Sequence, residues 1–122
     1  MTTAHLATIP SRESLLKTVL ESITPYVDHT FVALNDYPHT PDFLRDMNTV
    51  TVRHFIGDKG DANKFAFINE VSGRVLITDD DLVWTPNAIN LLIQKITPSR
   101  KHQNISYMNH IRICQFIGLG YL

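Results

Sequence analysis

Three consecutive carboxylates, Asp79, Asp80 and Asp81, directly follow residues 75–78, the most strand-like run of the sequence. In open α/β sheets, ligands bind beyond the carboxyl ends of the strands, where this acid triplet would lie. Adjacent carboxylates repel one another unless a cation lies among them, and their oxygens suit Mg²⁺ or Mn²⁺, which often bridge carboxylates to substrate phosphates. The triplet therefore predicts a divalent-metal and diphosphate site. The alternative is a solvated acidic turn before a helix amino terminus, where negative charge is favoured.

The elements around the acid triplet alternate between strands and helices along the chain. Apolar, β-favouring runs predict strands at residues 5–9, 30–34, 50–55 and 74–78. Helical spacing and start and stop signals predict three helices: from Ser11 to Pro25, from Asp61 through Glu70 with Gly73 as its stop, and from Thr85–Pro86 to a point before Pro98. This alternation predicts an α/β fold with an open, mostly parallel sheet and helices on both faces. If strand geometry continued through the triplet, Asp79 and Asp81 would face one side and Asp80 the other.

Composition limits the class of protein. The chain has 122 residues, 43% of them hydrophobic, and a net charge of −1, which indicates one domain and argues against a general nucleic-acid binder. It has no long apolar run and no signal-peptide pattern, so we expect a cytoplasmic protein, at most peripheral to a membrane, without a transmembrane segment. The single cysteine, Cys114, fits a reducing compartment.

The acids are unevenly distributed. All twelve Asp and Glu residues lie in residues 1–81, and residues 82–122 contain none. The helical and strand patterns also weaken after Pro98. We therefore expect an α/β domain over residues 1–98 and an atypical tail over residues 99–122, of truncated or out-of-frame origin. Residues 111–115 alternate weakly like a strand, and the apolar stretch at residues 105–122 would suit a homodimer contact.

Residues 75–82 (VLITDDDL) resemble the DxD segment of GT-A-fold glycosyltransferases of the family-2 type. Three further segments match in the same order: residues 7–12 (ATIPSR), 32–36 (VALND) and 57–65 (GDKGDANKF). The resemblance covers residues 5 to about 97. It implies the Rossmann-like, nucleotide-sugar-binding half of a GT-A fold, a UDP-sugar donor, and Mn²⁺ or Mg²⁺ as cofactor. By analogy alone it suggests polysaccharide synthesis.

The resemblance also implies roles for individual residues. It assigns the lining of the nucleotide pocket to Thr8, Pro10 and Arg12, and contact with the base edge to Asn35 or Asp36. Contacts with the uridine or the phosphates would come from three residues of the glycine-led segment: Asp61, Asn63 and Lys64.

Within the acid triplet, the resemblance implies that Asp81 coordinates the metal and that Asp79 contacts the ribose or shares the ion. Asp80 would join the donor contacts. The metal would offset the charge that develops on the leaving nucleoside diphosphate. The general base is left unassigned, since no carboxylate follows Asp81.

Structural alternatives stay open for several of these residues. Arg12 could be a solvated residue of a helix first turn, Lys64 an exposed helix lysine, and Asn35–Asp36 ordinary turn residues. Two other functions also fit. Asp79-x-Asp81 after a strand matches the phosphatase motif of the haloacid-dehalogenase superfamily. A non-catalytic nucleotide-binding or self-associating remnant would show no transfer activity.

Overall fold

The computed structural model describes residues 1–57, 60–95, 105–108 and 111–115. Within this part, one sheet has six strands in the order β3-β2-β1-β4-β6-β5. Their bounds are β1 Thr2–Thr8, β2 His29–Asn35, β3 Val50–Phe55, β4 Gly73–Ile77, β5 Ile105–Met108 and β6 Ile111–Gln115. Strands β1 to β4 are parallel, β6 is parallel to β4, and β5 is antiparallel to β6. The predicted open, mostly parallel α/β sheet is confirmed.

The helices α1 (Glu13–Ile23), α2 (Asp42–Arg45) and α3 (Pro86–Lys95) pack on one face of the sheet. The apolar residues of α1 recur every three or four positions, so one stripe of the helix turns toward the strands. That stripe is fully buried: Leu16, Val19, Leu20 and Ile23. It meets side chains from the three central strands and from α3: Ala4, Leu6, Val32, Leu34, Leu76, Ile89 and Leu92. The short helix α2 was not predicted.

Two helix starts can be compared with their predictions. The residues Pro10–Arg12 form a 3₁₀ turn, and Arg12 rather than Ser11 is the N-cap of α1, without a side-chain hydrogen bond. The prediction of Ser11 as the cap is wrong, because Pro10 presets a tight turn in which the Arg12 amide donates to the Ile9 carbonyl. Thr85 is confirmed as a cap of α3, since its Oγ1 accepts from the Ala88 amide at 3.1 Å.

On the opposite face of the sheet, the described residues form turns rather than a helix. Residues Gly60–Phe65 and Ile68–Glu70 form two 3₁₀ turns, so the predicted helix from Asp61 through Glu70 is wrong. Glycine, asparagine and two phenylalanines in this segment are weak helix formers, and contacts with the sheet decide its shape. Phe67 packs there against Phe31, with ring centroids 5.0 Å apart.

Gly73 was predicted to stop that helix, but it begins β4 instead. Its φ is +94°, and a Cβ at this position would collide with the Met1 carbonyl oxygen. The same carbonyl accepts a hydrogen bond from the Arg74 amide at 2.9 Å. The close approach of β1 to β4 therefore requires glycine here.

Two predictions about the ends of the chain stay predictions. These are the domain boundary at residue 98 and a dimer contact through residues 105–122, and the strands β5 and β6 test neither. The other residues of this tail, 99–104, 109–110 and 116–122, lie outside the described residues. In the part that is described, no helix combines the length and the apolar character needed to cross a bilayer.

The adjacent leucines Leu15 and Leu16 provide a matched test of the core on the α1 face. Leu16 is fully buried, whereas Leu15 is 37% exposed. We expect Leu16→Ala to lower the free energy of unfolding by about 3 kcal/mol, and Leu15→Ala by about 1 kcal/mol or less. Urea denaturation followed by circular dichroism measures both. Equal losses would contradict the packing of α1.

His5 makes the stability depend on pH. It is fully buried beside Phe31, its Nε2 lies 2.9 Å from the Thr3 hydroxyl, and its Nδ1 has no hydrogen-bond partner among the described residues. Burial lowers the pKa of His5 from 6.5 to about 4, although the Glu70 charge opposes this. Because the unfolded chain binds the proton more tightly, stability is lost as the pH falls from about 6.5 to 4, by about 3 kcal/mol at most.

We expect His5→Leu to remove this contribution. Between pH 6.5 and pH 4, its free energy of unfolding should change less steeply with pH than that of the wild type. The difference in slope corresponds to the uptake of at most one proton. Denaturation curves at a series of pH values measure the slope. The exposed histidine variant His39→Leu serves as the control, and an unchanged slope in His5→Leu would contradict the burial argument.

Candidate functional site

The candidate site lies where the strand order reverses. The chain builds β1, β2 and β3 outward in one direction and then places β4 on the other side of β1. In such sheets, the connections leaving the two strands at the reversal diverge and open a crevice at their carboxyl ends, where ligands bind. Here the two connections begin with Ile9 after β1 and with Thr78 after β4. The residues that follow them, Arg12 and the acid triplet, therefore lie at the same edge of the sheet.

The acid triplet does not continue the strand. β4 ends at Ile77, and the Thr78 amide makes one further hydrogen bond with the His5 carbonyl at 3.0 Å. Asp80 and Asp81 lie in a turn. The alternation that would place Asp79 beside Asp81 is therefore absent, because it depends on strand geometry that has ended.

Arg12 draws Asp80 and Asp81 to one point. A single guanidinium nitrogen, Nη1, lies 3.2 Å from Asp80 Oδ1 and 2.8 Å from Asp81 Oδ2. Burial raises the pKa of the Asp80 carboxyl, while a hydrogen bond with the Thr8 hydroxyl and the charge of Arg12 lower it. Arg12 is nevertheless 43% exposed at the start of α1, as the alternative of a solvated residue in a helix first turn predicts.

Lys64 draws Asp79 in a different direction. Its Nζ lies 3.2 Å from Asp79 Oδ1, and the side chains are only 4% and 25% exposed. The alternative of an exposed helix lysine is wrong, because Lys64 lies in a 3₁₀ turn and its side chain is buried at the end of the sheet. Lys64 therefore neutralises the charge of Asp79.

The end of β2 carries the predicted base contacts. Asn35 is buried, and its Oδ1 accepts from the Asn63 side-chain amide at 2.7 Å. Asp36 has a φ of +57°, and its carboxylate accepts from the Gly57 amide at 2.7 Å. Asp36 thus ties the ends of β2 and β3 together, as its turn interpretation predicts. Asn35 and Asn63 form the polar pair nearer the centre of the sheet.

The remaining predicted contacts lie around the same edge. Thr8 ends β1 and is buried. Pro10 borders an open groove of about 540 Å³ beside the first turns of α1, together with Ser11, Glu13, Ser14, Lys17 and Phe43. Asp61 belongs to the turn Gly60–Phe65, and its contact with the uridine or the phosphates stays a prediction.

Two residues that hold the site together were not assigned a role from the sequence. The Tyr37 hydroxyl donates to the Ile9 carbonyl at 2.9 Å and lies 3.5 Å from Thr8 Oγ1, so it ties the end of β2 to the end of β1. Burial raises the pKa of Tyr37. The sequence did contain a signal for this role, an aromatic hydroxyl directly after the polar end of a strand. The residues around Tyr37 were interpreted only as a turn.

Trp84 holds the chain after the acid triplet. Its indole N–H donates to Thr78 Oγ1 at 3.0 Å, and its backbone amide donates to Ser22 Oγ at 3.0 Å. It is a buried member of the core on the α1 face. The acid turn is therefore fixed at both ends, to β4 and to α1.

The chemistry of the acids is compatible with a divalent ion. Among the described residues, no group of three or more His, Cys, Asp or Glu side chains has the arrangement of a metal site. Two carboxylate oxygens, however, already converge on one cationic atom of Arg12. Mg²⁺ is commonly bound by one or two carboxylates, with substrate phosphates and water supplying its other ligands. Asp80 and Asp81 fit an ion that a phosphorylated ligand completes.

No protein-family model matches the chain, and no curated protein matches it. The features that bear on function are therefore those of the site itself: the strand reversal, the order of the polar segments and the contacts among them.

The buried ion pair between Lys64 and Asp79 should be energetically coupled. We expect a double-mutant cycle with Lys64→Gln and Asp79→Asn to give a coupling energy of about 1–2 kcal/mol, because solvent screens this pair weakly. The control is the exposed pair Arg45 and Asp42, 3.0 Å apart, which should give about 0.5 kcal/mol or less in the cycle with Arg45→Gln and Asp42→Asn. Urea denaturation supplies the four free energies of each cycle. Similar values for both cycles would contradict the burial of Lys64.

Proposed function

We propose that this chain binds a nucleoside-diphosphate sugar, with UDP-sugar as the favoured donor, in a metal-dependent site of a glycosyltransferase. The observation that supports this most is that three polar groups lie at the carboxyl ends of the neighbouring strands β2, β1 and β4. These are the amide pair Asn35–Asn63, the Lys64–Asp79 pair and the Arg12 contact with Asp80 and Asp81. The motif order that resembles the GT-A family assigns these same segments to the donor.

The charges of the site favour a metal-dependent interaction. Among the described residues, Arg12 and Lys64 are the cations paired with the three carboxylates, so these five groups together are net negative. A diphosphate is repelled by such a site until a divalent ion reverses the sign. Once bound, Mn²⁺ or Mg²⁺ would stabilise the negative charge of the leaving diphosphate.

The proposed division of roles follows the strand order. Asn35 and Asn63 are proposed to face the base, because amide groups can both donate to and accept from its edge. Asp80 and Asp81 are proposed to hold the metal, with Asp79 at the ribose or sharing the ion. Lys64 and Arg12 are the cations available to the phosphates.

The proposal is restricted to donor binding. Transfer requires a base for the acceptor hydroxyl, and no carboxylate follows Asp81 in this sequence. A phosphatase of the haloacid-dehalogenase type would use Asp79 as its nucleophile. We rank it lower because its motif ordinarily follows the first strand, whereas Asp79 follows the fourth strand and is paired with Lys64.

Calorimetry with UDP tests the proposal. We expect UDP to bind in the presence of Mn²⁺ and to bind at least tenfold more weakly in EDTA, and Asp81→Asn to weaken Mn²⁺-dependent binding by about tenfold or more. Asp46→Asn is the matched control, because Asp46 is exposed and precedes β3 at the opposite end of the sheet. It should bind UDP as the wild type does.

Three results would contradict the assignment. UDP binding that is equal in Mn²⁺ and in EDTA would show that the site holds no metal. Equal losses of UDP affinity in Asp81→Asn and Asp46→Asn would show that the acid triplet is not part of the site. Hydrolysis of p-nitrophenyl phosphate that disappears in Asp79→Asn would favour the phosphatase instead.

A further inference from the structure

The two cations of the site differ in how firmly they are held. Lys64 belongs to the turn Gly60–Phe65, and its side chain is 4% exposed and lies beside Asp79. Arg12 is 43% exposed, and its partners Asp81 and Asp80 are 51% and 13% exposed. The pair with Asp81 is exposed on both sides and contributes little free energy, because water solvates both ions and screens their attraction. Moving Arg12 therefore costs less than moving Lys64, and the main cost is the loss of its contact with the less exposed Asp80.

Arg12 also occupies the point that a metal would need. Its Nη1 is within 3.2 Å of oxygens from both Asp80 and Asp81, so a divalent ion bound to the same two oxygens would lie within a few ångströms of the guanidinium. The two cations repel each other strongly at that separation. Occupation by Arg12 and occupation by the metal therefore exclude one another.

We propose that Arg12 is a displaceable latch that fills the cation position until the donor arrives. This inference rests on the proposed function, because it assigns the metal and the diphosphate to the same site. The diphosphate offers the guanidinium a better partner, since guanidinium groups bind phosphate oxygens in a bidentate geometry. When Arg12 turns to the diphosphate, Asp80 and Asp81 become available to the metal. The metal and the donor then bind as a pair.

The latch makes the two ligands cooperative. A ligand that draws Arg12 away removes the competitor of the metal, and by thermodynamic linkage the metal strengthens binding of that ligand by the same factor. Without Arg12, Mn²⁺ meets no competitor and needs no nucleotide to enter. Part of the coupling between Mn²⁺ and UDP should therefore be lost.

The test measures Mn²⁺ binding with and without UDP, by the electron paramagnetic resonance signal of free Mn²⁺. We expect Arg12→Gln to bind Mn²⁺ alone about fivefold more tightly than the wild type, the limit that an exposed ion pair sets. The factor by which saturating UDP increases Mn²⁺ affinity should fall correspondingly. Lys17→Gln is the control: it removes the same charge from an exposed position one turn into α1. It should leave both quantities unchanged within about twofold.

The latch and the proposed function fail in different ways. If the wild type binds no UDP in Mn²⁺, the donor assignment fails, and the comparison of Mn²⁺ alone still tests whether Arg12 competes with the ion. If Arg12→Gln binds Mn²⁺ no more tightly than the wild type, the latch is wrong even when UDP binds. If Lys17→Gln raises Mn²⁺ affinity equally, general charge explains the effect and the latch is also wrong. Circular dichroism confirms folding, and Arg12→Met provides a second neutral variant if Arg12→Gln is not folded.

Discussion

Mutual repulsion among three neighbouring carboxylates governs how this end of the sheet is built. Cations that reach Asp79, Asp80 and Asp81 lower the cost of holding three carboxylates together at this strand end. The chain supplies Lys64 from 15 residues away and Arg12 from 68 residues away. Neither cation is close in sequence, so the charge balance of the site exists only when β1, β4 and the turn Gly60–Phe65 are assembled. Folding and formation of the site are therefore the same event.

The parallel pairing of β1 with β4 makes the Arg12 contact possible. Parallel neighbours end at the same edge, and Arg12 follows β1 by four residues, as the triplet follows β4 within four. The Tyr37 bond to Ile9 fixes the first connection, and the Trp84 bonds to Thr78 and Ser22 fix the second. These neutral hydrogen bonds position the connections, and the ion pairs then form between groups that are already close. The pair between Arg12 and Asp81 is exposed, so solvent screens it and little free energy is needed to break it.

The strands could be predicted from local patterns because the signals for a strand lie within a short stretch of sequence. The runs at residues 30–34 and 50–55 correspond to β2 and β3 within one residue at each end, since an apolar β-branched run between turn signals has few alternatives. The segment 60–70 was predicted as a helix because its apolar spacing permits one. Its actual shape depends on contacts of Asn63, Lys64 and Phe67 with three different strands, and sequence spacing carries no information about those distances. For the same reason, the triplet and its possible partners could be predicted, but not which acid meets which cation.

The 3₁₀ turn Gly60–Phe65 determines how the polar pairs of the site are arranged across the end of the sheet. Asn63 bonds to Asn35 after β2, while its neighbour Lys64 bonds to Asp79 after β4, and β1 lies between those strands. Two sequence neighbours therefore reach across β1 to polar groups about 10 Å apart, the spacing of two inter-strand steps. In an α-helix, adjacent side chains point about 100° apart around the axis, and only one of the two would face the sheet. A ligand held by both pairs would extend across the end of β1, with its base end toward β2 and its charged end toward β4, where Arg12 and the acids lie.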